Sequence, residues 1–142
     1  MRIYKIEKEN IPIVWGEIRD YLEGALKKYE WQERFPIDYV LLTLLSGERQ
    51  GWVIYDELTD KIVGAVVTEK IDYPLGRAVN GFLLGGENMD DWANLIDEAM
   101  VIYCQEVGAR WFDTGSRRGL GRAYYSKLGY QETQTSYTKK IN

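Results

Sequence analysis

Apolar residues recur along the chain with two different spacings, and stretches of each kind alternate. Spacings of three and four residues put side chains on one face of a helix, and they predict helices over residues 10–29, 36–46, 89–107 and 119–129. Alternating or β-branched runs predict strands over residues 2–6, 50–56, 61–71, 77–84, 110–113 and 130–138. The predicted order is β-α-α-β-β-β-α-β-α-β. Because no repeat or linker interrupts it, we expect a single α/β (α+β) domain over residues 1–142.

The stretch between the last two predicted elements carries the most specific local pattern. Leu120, Tyr124 and Leu128 form one stripe at spacings of four. Gly129 ends the helix because glycine enters the left-handed conformation without steric cost. A core helix followed by an edge strand is one interpretation of this stretch, and many αβ proteins could contain such a pair.

Composition excludes several classes of site. The chain has no histidine and one cysteine, Cys104, which excludes an internal disulfide, Ser–His and Cys–His nucleophile pairs and most zinc sites. We therefore expect no metal. A net charge of −4 argues against nucleic acid as a partner. No apolar run is long enough to span a membrane, and the N-terminus lacks the apolar core of a signal peptide, so we expect a cytoplasmic protein with no membrane partner.

Residues 124–130, Tyr-Tyr-Ser-Lys-Leu-Gly-Tyr, resemble the F-Y-x-K-x-G-F signature near the C-terminus of the GNAT superfamily, the acyl-CoA-dependent N-acyltransferases. The predicted order of elements is also that of the superfamily, over the whole chain. The resemblance implies a GNAT-like fold, with a mixed, mostly antiparallel central sheet flanked by four helices. It further implies transfer of an acetyl group from acetyl-CoA to an amine of a small molecule or a protein.

The resemblance places the cofactor pyrophosphate on backbone N–H groups between the fourth strand and the long helix, where a helix N-terminus attracts anions. The implied cofactor-binding residues in this chain are Leu83, Leu84, Gly85, Gly86 and Asn88.

Charged residues of both signs lie near this loop, and they would have opposite effects on phosphate binding. Arg117 and Arg118, near the start of the last predicted helix, are implied to add phosphate contacts, and a solvated basic loop is the alternative. The loop departs from the family pattern Q/R-x-x-G-x-G/A, because three carboxylates stand in or beside it: Glu87, Asp90 and Asp91. They would repel phosphates unless they turn away, and ordinary helix capping also explains them.

Tyr125 matches the tyrosine that many GNAT enzymes use to protonate the coenzyme A thiolate, and simple packing is the alternative. An asparagine often precedes this signature where the chain has Arg118. No carboxylate lies within residues 77–84, so the candidates for a base are Asp72 and Asp113, at strand ends.

A second resemblance implies a different role. The pattern Gly-Gly-x-Asn-Met-x-x-Trp over residues 85–92, with a Gly/Arg-rich loop before the last helix, is similar to small GNAT-like proteins of tailed bacteriophages. Some of those are similar to internal virion or structural proteins. The alternative is therefore a catalytically degenerate GNAT-fold protein, associated with a virion and bound to other protein subunits.

Overall fold

The fold is described from a computed structural model, which describes residues 1–115, 126–133 and 136–141. Its regular elements, in chain order, are β1 (Arg2–Ile6), α1 (Ile11–Lys28), α2 (Ile37–Ser46), β2 (Arg49–Asp56), β3 (Lys61–Tyr73), β4 (Gly76–Gly86), α3 (Ala93–Val107) and β5 (Ala109–Thr114). Short 3-10 turns cover Lys8–Asn10, Met89–Asp91 and Ser126–Leu128.

The five strands form one sheet in the order β1-β2-β3-β4-β5. Neighbouring strands from β1 to β4 are antiparallel, and β5 runs parallel to β4. A parallel neighbour needs a crossover connection, which α3 supplies. The expected mixed, mostly antiparallel sheet is confirmed, and so is the α+β class.

Helices cover both faces of the sheet, and each face has its own buried cluster. On one face, α1 and α2 contribute residues such as Leu22, Leu26 and Leu44. On the other face, α3 contributes Met100 and Tyr103. Strands buried on both faces need apolar residues at successive positions, which explains the continuous run Trp52–Val53–Ile54 in β2. No helix in the described part of the chain is both long and apolar enough to cross a membrane.

The structure contradicts the strand predicted near the C-terminus. The strand predicted over 130–138 is wrong for the residues that the structure describes there, since 130–133 and 136–138 belong to no strand. Instead, Arg34 Nη2 donates to Thr138 Oγ1 at 3.2 Å, and Lys140 pairs with Glu33 at 3.0 Å. Residues 131–133 and 136–141 are exposed, so their Thr-rich alternation has no buried face to fix it on a sheet.

The fourth predicted helix lies largely outside the described residues, which include three α-helices. Ser126–Leu128 forms a 3-10 turn, and Gly129 follows it with a φ of 88°, the left-handed conformation expected there. The Tyr130 hydroxyl then donates to Asp97 on α3 at 2.7 Å.

Candidate functional site

The sheet opens between β4 and β5. Parallel pairing of these strands ends at Gly81↔Thr114, whereas pairing of β4 with β3 continues to Gly64↔Gly86. Over residues 82–86, β4 therefore has no partner on its β5 side among the described residues. With respect to the described residues this stretch is an open strand edge, whose backbone groups could pair with an extended ligand.

A β-bulge marks the point where the sheet opens. Val67 pairs with Leu83 while Thr68 pairs with Gly81, which leaves Phe82 as an extra residue on β4. Bulges bend and twist a strand, and here the bend coincides with the end of β5 pairing. The Phe82 ring is held by Trp31 (5.5 Å between centroids), Phe35 (5.1 Å) and the Arg49 guanidinium, 4.1 Å above its centroid.

Backbone groups alternate between the two edges of β4. The Glu87 N–H donates to the Val63 carbonyl at 2.8 Å, so this is a hydrogen-bonded pair of the antiparallel ladder. Such pairs occur at every second residue, which directs the N–H groups of Leu83 and Gly85 toward β3. By the same alternation, the N–H and C=O groups of Leu84 and Gly86 point to the open edge.

The two glycines of this segment are required by packing within the protein. A Cβ atom on Gly85 would overlap the Tyr21 carbonyl oxygen of α1. Gly86 has a φ of 154°, and a Cβ atom there would lie 2.6 Å from the Cα atom of Gly64. The close contacts at these glycines are thus made by α1 at Gly85 and by β3 at Gly86.

Glu87 is turned toward α1, on the face of the sheet opposite α3. Burial, together with the charge of and a hydrogen bond to the Glu87 carboxylate, raises the pKa of Tyr21. The Tyr21 hydroxyl also lies 3.3 Å from the Ile62 carbonyl oxygen, which places it at the start of β3. One of the three carboxylates thus turns away from the helix start, while Asp90 and Asp91 remain exposed in the 3-10 turn.

The start of α3 is fixed beside the open edge by Trp92, the last residue of the pattern over residues 85–92. Trp92 is buried, and its indole N–H donates to the Glu87 carbonyl at 2.9 Å. Asn88 turns the chain with a φ of 51°, a conformation that asparagine tolerates. From Ala93 onward the first N–H groups of α3 have no partner within the helix, and a helix start of this kind attracts anions.

Several predicted site residues lie outside the described part of the chain: Arg117, Arg118 and Tyr125. Asp72 lies at the far end of the β3–β4 hairpin, where hydrogen bonding to Arg77 at 2.6 Å lowers its pKa. Its partner Arg77 is five residues before Phe82 on β4, which corresponds to about 16 Å along the strand. Asp72 is therefore too far from the bulge to act there.

A half-buried polar row crosses the sheet beside the bulge, on the face covered by α1 and α2. The Arg49 Nε donates to Glu69 at 3.1 Å, and the Asn80 amide donates to the same carboxylate at 2.9 Å. Asp113 pairs in register with Asn80. We call Arg49, Glu69, Asn80 and Asp113 the polar row. Its members come from four strands, so the sequence could show the row only if the register were already known.

Two other features lie outside this region. An open hollow of about 610 Å3 between α1 and β1–β3 is lined by Tyr4, Glu17, Val53, Tyr55, Asp60, Lys61 and Ile62, none of them a predicted site residue. In the described segments, no group of three or more Asp, Glu, Cys or His side chains could hold a metal ion. Cys104 is buried against β5, where its sulfur lies 3.8 Å from the Trp111 carbonyl oxygen. Burial raises the pKa of its thiol.

A scan against models of known protein families gives no match, and no curated protein matches in sequence. Solved structures do match. A predicted acetyltransferase from Clostridium acetobutylicum, crystallised with acetyl-CoA, is 16% identical over 99% of this chain and 96% of its own, with a TM-score of 0.66. An aminoglycoside acetyltransferase from an uncultured soil metagenomic sample is 14% identical over 99% and 97%, with a TM-score of 0.70.

A GCN5-related N-acetyltransferase from Ralstonia eutropha is 17% identical over 99% of this chain and 97% of its own, with a TM-score of 0.66. Similarity at such identities establishes architecture and leaves activity to be argued from the site. The chain has the single-domain α+β fold of the GNAT acetyltransferases.

Proposed function

We propose that the chain is a GNAT acetyltransferase that moves an acetyl group from acetyl-CoA to an amine. The observation that carries the proposal is the open edge of β4, which runs from the Phe82 bulge to Gly86 and leads directly to the start of α3. An extended arm containing amides can pair with such an edge, and a diphosphate can bind at a helix start. The C. acetobutylicum neighbour, which binds acetyl-CoA, supports the cofactor.

Different residues of this region are proposed to bind different parts of the cofactor. Leu84 and Gly86 offer backbone N–H and C=O groups to the amides of the pantetheine arm, and Leu83 and Gly85 hold β4 against β3. Asn88 and the first turn of α3 receive the pyrophosphate. Arg117 and Arg118 are proposed to add charge to the phosphates. This division places the thioester at the other end of the open edge, beside the bulge.

The reaction needs one bond made and one broken. The amine nitrogen attacks the thioester carbonyl carbon, the C–N bond forms, and the C–S bond breaks as the thiolate leaves. The nitrogen releases one proton to water, and the thiolate gains one, so the protons balance. Tyr125 is proposed to supply that proton, because a phenol can donate to a developing sulfur anion.

A second candidate function is favoured by two observations. Packing within the protein fully accounts for Gly85 and Gly86, and Asp90 and Asp91 stand at the helix start. A protein that kept the fold and lost the cofactor would have the same features. Such a protein would bind other protein subunits, for example within a virion.

Cofactor binding separates the two candidates, and Asn94→Asp tests it. Asn94 is the second residue of α3 and is exposed, so a negative charge there stabilises the helix by about 0.3–1 kcal/mol. The same charge repels the cofactor phosphates and weakens acetyl-CoA binding roughly tenfold. We expect a higher melting temperature in buffer and a smaller ligand-dependent shift, both read by thermal denaturation.

The matched control is Gln105→Glu, which makes the same charge change at the exposed far end of α3. It should lower the melting temperature slightly and leave the acetyl-CoA shift unchanged. Wild-type protein that shows no shift at millimolar acetyl-CoA would overturn the transferase and favour the scaffold. Gly86→Glu would be a poor test, because its side chain would meet β3 and disturb the strand whether or not a cofactor binds.

Tyr125→Phe tests the proposed acid. The variant should keep acetyl-CoA binding and lower kcat by roughly 10²-fold or more, because the thiolate would leave without a positioned donor. Release of free coenzyme A thiol measures turnover, and far-ultraviolet circular dichroism checks that the variant is folded. An unchanged kcat would remove Tyr125 from the chemistry.

A further inference from the structure

The polar row ends at Asp113 on β5, next to the point where β4 and β5 separate. The side-chain amide of Asn80 is planar, and its nitrogen donates to Glu69 on β3. Its carbonyl oxygen must therefore point the other way, toward β5. The Arg49–Glu69 pair, with side chains 12% and 24% exposed, fixes this orientation and acts as a positioning pair.

Asp113 stands beside that oxygen. Phe112 packs in the cluster on the α3 face, and successive strand residues point to opposite faces, so Asp113 points to the same face as Asn80. It is exposed and forms no ion pair with any residue that the structure describes. The Asn80 oxygen and the Asp113 carboxylate are thus two neighbouring acceptors with no cation from the described residues paired to them.

An ammonium group fits these acceptors, because it is a pure hydrogen-bond donor with a positive charge. Within the row, the charge of Arg49 cancels that of Glu69, and Asp113 leaves an excess of one negative charge. The aromatic rings of Phe35 and Tyr39 lie against Arg49 on the same face.

Spacing shows which group of the acceptor binds there. Asn80 is two residues before Phe82 on β4, about 7 Å along the strand. Under the proposed function the thioester lies at the bulge, and the attacking nitrogen must contact its carbonyl carbon. The group held at Asn80 and Asp113 is therefore a second one, about 7 Å from the reacting nitrogen.

We propose that the acceptor is a diamine or polyamine, bound through its non-reacting ammonium group by the Asn80 carbonyl oxygen and the Asp113 carboxylate. This inference rests on the proposed function. It adds the substrate class and the residues that select it.

Three amines of equal chain length test it in the full-length protein with acetyl-CoA: cadaverine, pentylamine and 5-aminopentanoate. We expect kcat/KM to be about tenfold higher for cadaverine than for pentylamine, mainly through KM, since one charge-assisted pair is gained. The carboxylate of 5-aminopentanoate should make it the poorest acceptor. In Asp113→Asn the ratio of cadaverine to pentylamine should fall to about one.

Asp72→Asn is the matched control, because it removes an exposed carboxylate at the far end of the β3–β4 hairpin; the ratio should stay at about ten. Binding of acetyl-CoA is measured separately by calorimetry. If wild-type protein binds acetyl-CoA and shows equal kcat/KM for the three amines, or uses none of them, the inference is overturned while cofactor binding stands. If acetyl-CoA does not bind, the proposed function fails, and the inference fails with it.

Discussion

Gly85 lies in β4 directly against the backbone of α1. A Cβ atom there would overlap the Tyr21 carbonyl oxygen and lie 2.8 Å from its carbonyl carbon, whereas a Cβ atom on Gly24, on the exposed side of α1, would meet nothing within 4 Å. Gly85→Ala should therefore lower the free energy of unfolding by about 2–3 kcal/mol, since two backbones must move apart. Gly24→Ala should raise it by about 0.5–1 kcal/mol, because alanine loses less conformational entropy in a helix.

Urea unfolding measures both changes, and the slope m should stay constant in each variant. Equal effects of the two substitutions would show that α1 does not approach β4 as closely as described. The two variants also separate the packing role of Gly85 from any role beside a phosphate. If Gly85 acts through packing alone, Gly85→Ala should weaken acetyl-CoA binding only by reducing the fraction of folded protein.

Elements with local signals could be predicted from the sequence, and elements that depend on a partner could not. The periodicity of α2 and α3 and the glycines after them, Gly47 and Gly108, each in a left-handed conformation, are local features. The extension of β4 through Gly85 and Gly86 is not, because glycine weakens a strand pattern and the reason for it lies in α1 and β3. The strand predicted near the C-terminus was wrong for its described residues because they are exposed and have no buried face on the sheet.

The site divides along the same line. The family resemblance predicted the segment that contains Leu84 and Gly86. Which of its backbone groups face the open edge depends on the register with β3, which the sequence does not show. The polar row depends on the register of four strands, and Arg49 and Glu69 are 20 residues apart in the chain. The pattern over residues 85–92 included Trp92, but the hydrogen bond from its indole to the Glu87 carbonyl depends on the turn between them, which the sequence does not specify.

Arg49 joins two elements, and this gives a prediction at the scale of the element. Its guanidinium contacts Glu69 in the sheet and Thr43 in α2, and lies 5.7 Å from the Tyr39 ring centroid. Arg49→Gln should lower the free energy of unfolding by about 1–3 kcal/mol, because a half-buried carboxylate loses its cation and a ring loses its contact. Chemical denaturation provides the measurement.

The exposed pair Arg2–Glu57, with side chains 63% and 46% exposed, provides the comparison. Arg2→Gln should leave the free energy of unfolding nearly unchanged, since solvent screens such a pair. The double variant Arg49→Gln with Glu69→Gln should lose less than the sum of the single losses, because both substitutions remove one interaction. Additive losses, or equal losses for Arg49 and Arg2, would contradict the role given to the Arg49–Glu69 pair.

At the scale of the whole molecule, the titratable groups predict how stability depends on pH. Without histidine, no side chain with an ordinary pKa titrates between roughly pH 6 and 8, so stability should be level there. Burial raises the pKa of Cys104, Tyr21 and Tyr103 above their ordinary values of 9.0 for cysteine and 10.0 for tyrosine. These groups keep their protons in the folded state at a pH where the unfolded chain releases them.

The sign of the effect follows from proton counting. Above about pH 9 the unfolded state binds fewer protons than the folded state, so the free energy of unfolding must fall as pH rises. The fall should begin near the ordinary cysteine value and steepen near that of tyrosine. Tyr103→Phe removes one of the three groups and should flatten the alkaline limb, as measured by urea unfolding at a series of pH values. A limb that stays level through pH 10, or the same slope in Tyr103→Phe as in wild type, would mean that these groups are not buried as described.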